Sequence, residues 1–106
     1  MSNIDFNRVI TPEIKQRELH ESLLTGVSGW LDDTVKARGY DNIVSCVSYA
    51  NSTDAQFRAE AAAAIAWRDA VYRTLYELQA APPEGVTSIE QVVGLLPNPQ
   101  SFGWPA

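Results

Sequence analysis

The side chains able to do chemistry are few and scattered. One cysteine, Cys46, and one histidine, His20, occur in 106 residues, so an internal disulfide, a Cys-rich zinc site and a histidine pair for a metal are excluded. His20 stands between Leu19 and Glu21 in a charged stretch, the setting of an exposed residue on a helix surface. Cys46 lies among Ile43, Val44 and Val47 and is expected to be a small buried hydrophobe. Asp32-Asp33 is the only adjacent acid pair, the kind of pair that shares a metal or divides acid and base roles. On a helix, however, neighbouring side chains diverge by about 100°, so the pair is expected on a solvated face. Ser45, Ser48 and Ser52 supply hydroxyls but no base to activate one, and capping roles suit them better. No glycine-rich phosphate loop, nucleophile elbow or lysine isolated in an apolar run occurs. The expectation is a protein that is not an enzyme, with no catalytic, cofactor-binding or metal-binding residue.

Three polar or aromatic groupings remain. Arg68-Asp69 sits within an apolar helix, where a guanidinium needs a fixed carboxylate or carbonyl partner. Arg38, Tyr40 and Asp41 share the turn Arg38-Gly39-Tyr40-Asp41, expected to fix that turn against the long helix, with a partner site as the alternative reading. Trp30 and Trp67 fall on helical stripes and read as core. Trp104 stands beside Pro105 near the end of the chain, and two readings are open for it: folding back as a plug, or docking on a second chain. Phe6, Ile10 and Phe102, on the irregular ends, join Trp104 as candidate partner-binding residues.

The elements that must position these residues are helical. Residues 1–10 carry Ile4, Phe6, Val9 and Ile10 without helical spacing and read as an extended arm. Thr11-Pro12-Glu13 combines an N-cap, a proline at the first helical position and an acid in the first turn. Leu24, Val27, Leu31 and Val35 then recur at spacings of three and four, which predicts a helix over 12–38 ended by Gly39. Gly26 and Gly29 inside it mark close packing or a bend. Asp41 is placed to cap a short helix to Ala50, with Ile43, Val44 and Val47 inward and Ser45 and Ser48 outward. Thr53-Asp54-Ala55-Gln56 has the form of a capping box and opens a helix to residue 80. Along it Ala63, Trp67, Val71, Leu75 and Leu78 form one stripe, and Phe57, Ala61, Ile65, Tyr72 and Tyr76 a second, so the helix calls for two packing partners. A Pro-rich linker follows at 81–86. Thr87-Ser88-Ile89-Glu90 repeats the capping-box pattern for a helix over 87–96 with Ile89, Val92, Val93 and Leu96 on one side, and 97–106 is an irregular tail. The whole is one all-α domain: a small helical bundle with one long central helix, an extended N-terminal arm and an irregular C-terminal tail.

Composition agrees with a folded domain, since 45% of residues are hydrophobic and 20% charged. The longest apolar run, Ala61 to Trp67, falls far short of the roughly 20 residues that span a bilayer. The first eight residues lack the basic start and apolar stretch of a secretory signal, so the chain is expected to act where it is made or in a particle assembled there. A net charge of −5, with scattered Lys and Arg, argues against nucleic acid as a partner.

With the segments placed, several stretches become distinctive: Ala37-Arg38-Gly39-Tyr40-Asp41-Asn42-Ile43, Ser48-Tyr49-Ala50-Asn51-Ser52-Thr53, Phe57-Arg58-Ala59-Glu60-Ala61, and Ala66-Trp67-Arg68-Asp69-Ala70-Val71-Tyr72. Together with Ile4 to Glu13, Leu95-Leu96-Pro97 and Trp104-Pro105, they resemble a family of small proteins and C-terminal domains encoded among the tail genes of tailed bacteriophages and prophages. The likeness touches most of the chain and rests mainly on helix-packing signatures. Where the usual member has Pro-Pro near its final Trp-Pro, this chain has Asn98-Pro99-Gln100-Ser101-Phe102-Gly103. The resemblance implies a virion tail component that binds tail or tail-fibre proteins, working as a homo-oligomer in the virion tail or in the host cytoplasm during assembly. It carries no catalytic residues. Two alternatives are a tail-fibre assembly chaperone that leaves before the virion matures, and a small acidic inhibitor of a host protein.

Overall fold

In the computed structural model of the chain, residues 12–86 and 88–105 are described, with side chains from residue 20 onward. The expected arm, with Phe6 and Ile10, lies outside the described residues. The architecture is all-α: α1 (Pro12–Lys36), α2 (Ile43–Val47) continued by a 3₁₀ turn (Ser48–Asn51), the long α3 (Ala55–Ala80), α4 (Ile89–Leu95) and a second 3₁₀ turn (Pro99–Phe102). The tail is thus irregular except for this last turn.

The stripe that predicts α1 is the one it buries, with Val27, Leu31 and Val35 at 0% exposure. The helix stops through its backbone. Tyr40 N–H donates to the Val35 carbonyl at 3.2 Å and Gly39 N–H to the Lys36 carbonyl at 3.0 Å. Gly39 adopts φ +98°, the left-handed conformation that this Schellman closure requires and a side chain would strain. The closure tightens residues 37–39, so α1 ends at Lys36 rather than at residue 38.

Each of the three later helices begins one or two residues from where local sequence alone places its start. For α2 the N-cap is Asn42, whose Oδ1 accepts from Ser45 N at 2.8 Å, and not Asp41. Asp and Asn cap equally well, and the choice is made from α1: Asp32 Oδ1 accepts from Ile43 N at 2.9 Å and fixes Ile43 as the first helical residue. The α3 cap is Asp54, accepting from Phe57 N at 3.0 Å, so the Thr53–Gln56 box does not form. Ser52 Oγ in turn accepts from Asp54 N. For α4 the box is Ser88–Gln91, not Thr87–Glu90. Adjacent residues of both stretches carry capping side chains, and the register that buries Val92 and Leu96 selects Ser88. One inward assignment also fails: Val44 is 71% exposed, because in so short a helix Ile43 and Cys46 set the buried face and Val44 points about 100° away.

The core is a stripe of α3, Ala64, Trp67, Val71 and Leu75, packed on α1, α2 and the last 3₁₀ turn, with Val92 of α4 joining it from beside α1. Its second stripe is covered only in part. Ala61 is buried and Ile65 and Tyr72 are half-buried, but Phe57 and Tyr76 remain 42% and 56% exposed. The shape is elongated, 60 × 31 × 19 Å with a radius of gyration of 17.6 Å, against about 13 Å for a rounded domain of this length.

Of the two glycines in α1, Gly26 is the packing position. A Cβ there would lie 2.7 Å from Ile89 Cγ1 and 2.8 Å from Cδ1, whereas one on Gly29 meets nothing within 4 Å. Gly26→Ala gains about 1 kcal/mol of helix propensity but overpacks the α1–α4 contact at a cost of about 1–3 kcal/mol. The expected outcome is a lower melting temperature in the native background and a higher one in Ile89→Ala, where the clash is gone. A rise in both backgrounds would show that α4 does not rest on Gly26.

Candidate protein-binding site

The turn between α1 and α2 carries Arg38 and Tyr40 to a carboxylate on α3. Tyr40 Oη donates to Glu60 Oε1 at 2.6 Å, and Arg38 NH1 donates to Glu60 Oε2 at 3.0 Å. Both oxygens of a residue only 7% exposed are therefore engaged. Burial first, then the hydrogen bond to Glu60 and its negative charge, push the Tyr40 phenol well above its ordinary value. Burial and the Glu60 charge also push the Cys46 thiol from 9.0 up to about 11, against a lowering by Arg38. Cys46 is at 0% exposure, in the buried position expected of it.

These two shifts have a consequence at high pH. The folded chain holds protons that the unfolded chain has already lost, so this part of the stability is present below pH 9 and drains as pH rises. For Cys46 the window runs from 9.0 to about 11. The melting temperature should fall across it, and fall less in Cys46→Ala, with Tyr40 supplying the remainder. Equal losses in the two proteins would contradict the Cys46 contribution.

The C-terminal tail closes over Arg38. The Trp104 ring lies 4.6 Å from the guanidinium carbon, and the Pro105 carbonyl accepts from Arg38 NH1 at 3.2 Å. Trp104 also meets Trp67 edge-on at 6.3 Å, and Trp67 meets Trp30 in the same way at 5.2 Å. Trp67, fully buried, donates its indole N–H to the Pro97 carbonyl at 3.0 Å. Trp104 is thus folded back and half-buried, and Phe102 packs beside it against the core.

The other sequence candidates separate. Asp41 is exposed on the turn. Arg68 finds its carboxylate in adjacent Asp69, at 3.1 Å from Nε and 3.0 Å from NH2, but on the surface, where such a pair contributes about 0–1 kcal/mol. Asp32 is half-buried and caps α2, while Asp33 points to solvent near Lys36, so the acid pair diverges without being wholly solvated. His20 is exposed, and Ser48 and Ser52 bond to nearby backbone. Glu60 is the residue that sequence reasoning missed. Its signal was its register: it lies one helical turn before Ala64, on the face that buries Trp67, Val71 and Leu75.

Unsatisfied apolar surface lies on either side of this cluster. Tyr40, Tyr49 and Phe57 form a ladder of rings at 5.7 and 5.2 Å that runs from the buried carboxylate to the surface, where Tyr49 is 38% exposed. Further along α3, Tyr72 and Tyr76 pair at 6.3 Å beside an open groove lined by Leu24, Thr25, Ser28, Gly29, Asp32 and Tyr72. Among the described residues no three His, Cys, Asp or Glu side chains come together as a metal-holding group, and no helix is long and apolar enough to cross a membrane. Comparison with protein-family models, with curated proteins and with solved structures finds no match to the chain.

Proposed function

We propose that this chain is a structural or assembly protein of a tailed-phage tail that acts by binding other proteins, including copies of itself. The observation that carries the binding reading is the partly covered second stripe of α3, which leaves Phe57 and Tyr76 exposed at opposite ends of the helix. Aromatic side chains with a polar surround are what protein interfaces select. These two positions stand about 28 Å apart along α3, and a net charge of −5 favours neutral or basic partner surfaces. The tail assignment draws on the sequence resemblance, whose signature residues Tyr40, Glu60 and Trp67 are those that organise the core.

Affinity purification of the tagged chain from host cells producing the phage tests this reading. The expected result is recovery of a tail or tail-fibre protein, lost when Phe57 and Tyr76 are changed to Glu. Recovery of a host enzyme alone, with no tail protein, would replace the proposal with the inhibitor alternative.

A further inference from the structure

We propose that the surface formed by Arg38 and the edge of Trp67 is a recognition site for a Trp-Pro segment, filled here by the chain's own tail and exchangeable with the tail of a second copy. The inference rests on the reading that this chain binds protein, but not on a phage origin.

The tail is built as a ligand. Its hydrogen bonds are largely internal: Asn98 Oδ1 accepts from Gln100 N at 2.9 Å, the Asn98 carbonyl from Ser101 N at 3.1 Å, and the Pro99 carbonyl from Trp104 Nε1 at 2.6 Å. A turn that satisfies its own indole N–H presents a preformed ring, which lowers the ordering cost of docking. The receiving surface supplies what that ring and the following carbonyl require. It offers a guanidinium face at 4.6 Å, an aromatic edge at 6.3 Å and an Arg38 N–H for the Pro105 carbonyl. Glu60 Oε2 accepts at 3.0 Å from the same Arg38 NH1 that reaches the Pro105 carbonyl, so the guanidinium keeps a fixed partner when the tail leaves.

Exchange requires Phe102 to leave the core and the Pro97 carbonyl to leave Trp67 together with Trp104. Leu96 stays anchored at 7% exposure, and Gln100, Ser101 and Gly103 are already exposed. The eight residues from Leu96 to Trp104 reach about 26 Å when extended, enough to cross to a neighbour while α4 stays docked. In dilute solution the tethered tail wins, because its effective concentration is in the millimolar range. In a symmetric assembly each site meets the neighbour's tail at a comparable concentration, and the same contacts then link the subunits.

Two full-length variants test this. Trp104→Ala empties the ring position of the site, and a synthetic peptide of residues 97–106 added to it is expected to raise the melting temperature saturably, while the same peptide with its Trp replaced by Ala does nothing. Mixed with Arg38→Gln, which keeps a tail but has a damaged site, Trp104→Ala is expected to form a 1:1 heterodimer by native mass spectrometry that neither variant forms alone. If Arg38→Gln fails to fold, the peptide arm decides. No peptide effect, with Trp104→Ala still helical by circular dichroism, would overturn the proposal and leave the tail as an internal clasp. A positive result with no tail protein recovered from cells would keep this inference and remove only the phage reading.

Discussion

Replacing Trp67 with alanine is expected to lower the melting temperature by more than about 10 °C, the largest effect of any single substitution in this chain. Trp67 is the biggest fully buried side chain. Its loss empties a cavity at the crossing of α1, α3 and the tail, and Trp→Ala at such positions costs about 3–5 kcal/mol. The indole also joins Trp30 to Trp104 and holds the Pro97 carbonyl, so the vacancy detaches the tail as well as thinning the core. Against a total stability of about 5–15 kcal/mol, this is a large share. Trp67→Phe, which keeps most of the volume but not the N–H, should fall between. Thermal melts followed by circular dichroism at 222 nm check the order. A Trp67→Ala loss no greater than that of Trp67→Phe would contradict the central role given to the ring.

The second large effect is expected at Glu60. Glu60→Ala strands the Tyr40 hydroxyl in the interior and frees Arg38 from its carboxylate. Breaking a fully buried ion pair from one side costs about 3–5 kcal/mol. The Arg38 side chain is 34% exposed and regains water, so about 2–3 kcal/mol is the expected loss here. Tyr40→Phe removes one donor and leaves the carboxylate its Arg38 partner, for about 1 kcal/mol. The two residues share one hydrogen bond, so the double variant should lose less than the sum of the singles. Strict additivity in urea melts would mean that the 2.6 Å contact contributes nothing to stability.

The elements of this fold were legible wherever burial follows a period. Val27, Leu31 and Val35 in α1 and Trp67, Val71 and Leu75 in α3 are apolar at helical spacing, and those positions are the core. Gly39 was readable as a stop because few residues tolerate its backbone angles. Helix starts were harder. Asp41 and Asn42, Thr53 and Asp54, and Thr87 and Ser88 each offer two neighbouring caps of similar strength, and for α2 the choice was made by Asp32 from another helix.

The cluster under the tail was half legible. A turn bearing Arg38 and Tyr40 announces a need for a partner, but the partner is a glutamate in a helix of alanines, and a charged residue carries no mark of its own burial. The two readings of Trp104 could not be separated by pattern, because the tail has no period. Its position depends on Trp67 and Arg38, which lie 37 and 66 residues away in the chain.

The claim that this chain works as a tail component through protein binding is tested most directly by quantitative mass spectrometry of purified phage particles. The account predicts the chain at a fixed copy number relative to the tail proteins, consistent with a symmetric ring or spike. Its absence from particles, with tails otherwise complete, would contradict a structural role, and recovery bound only to immature fibre subunits would assign it to assembly alone.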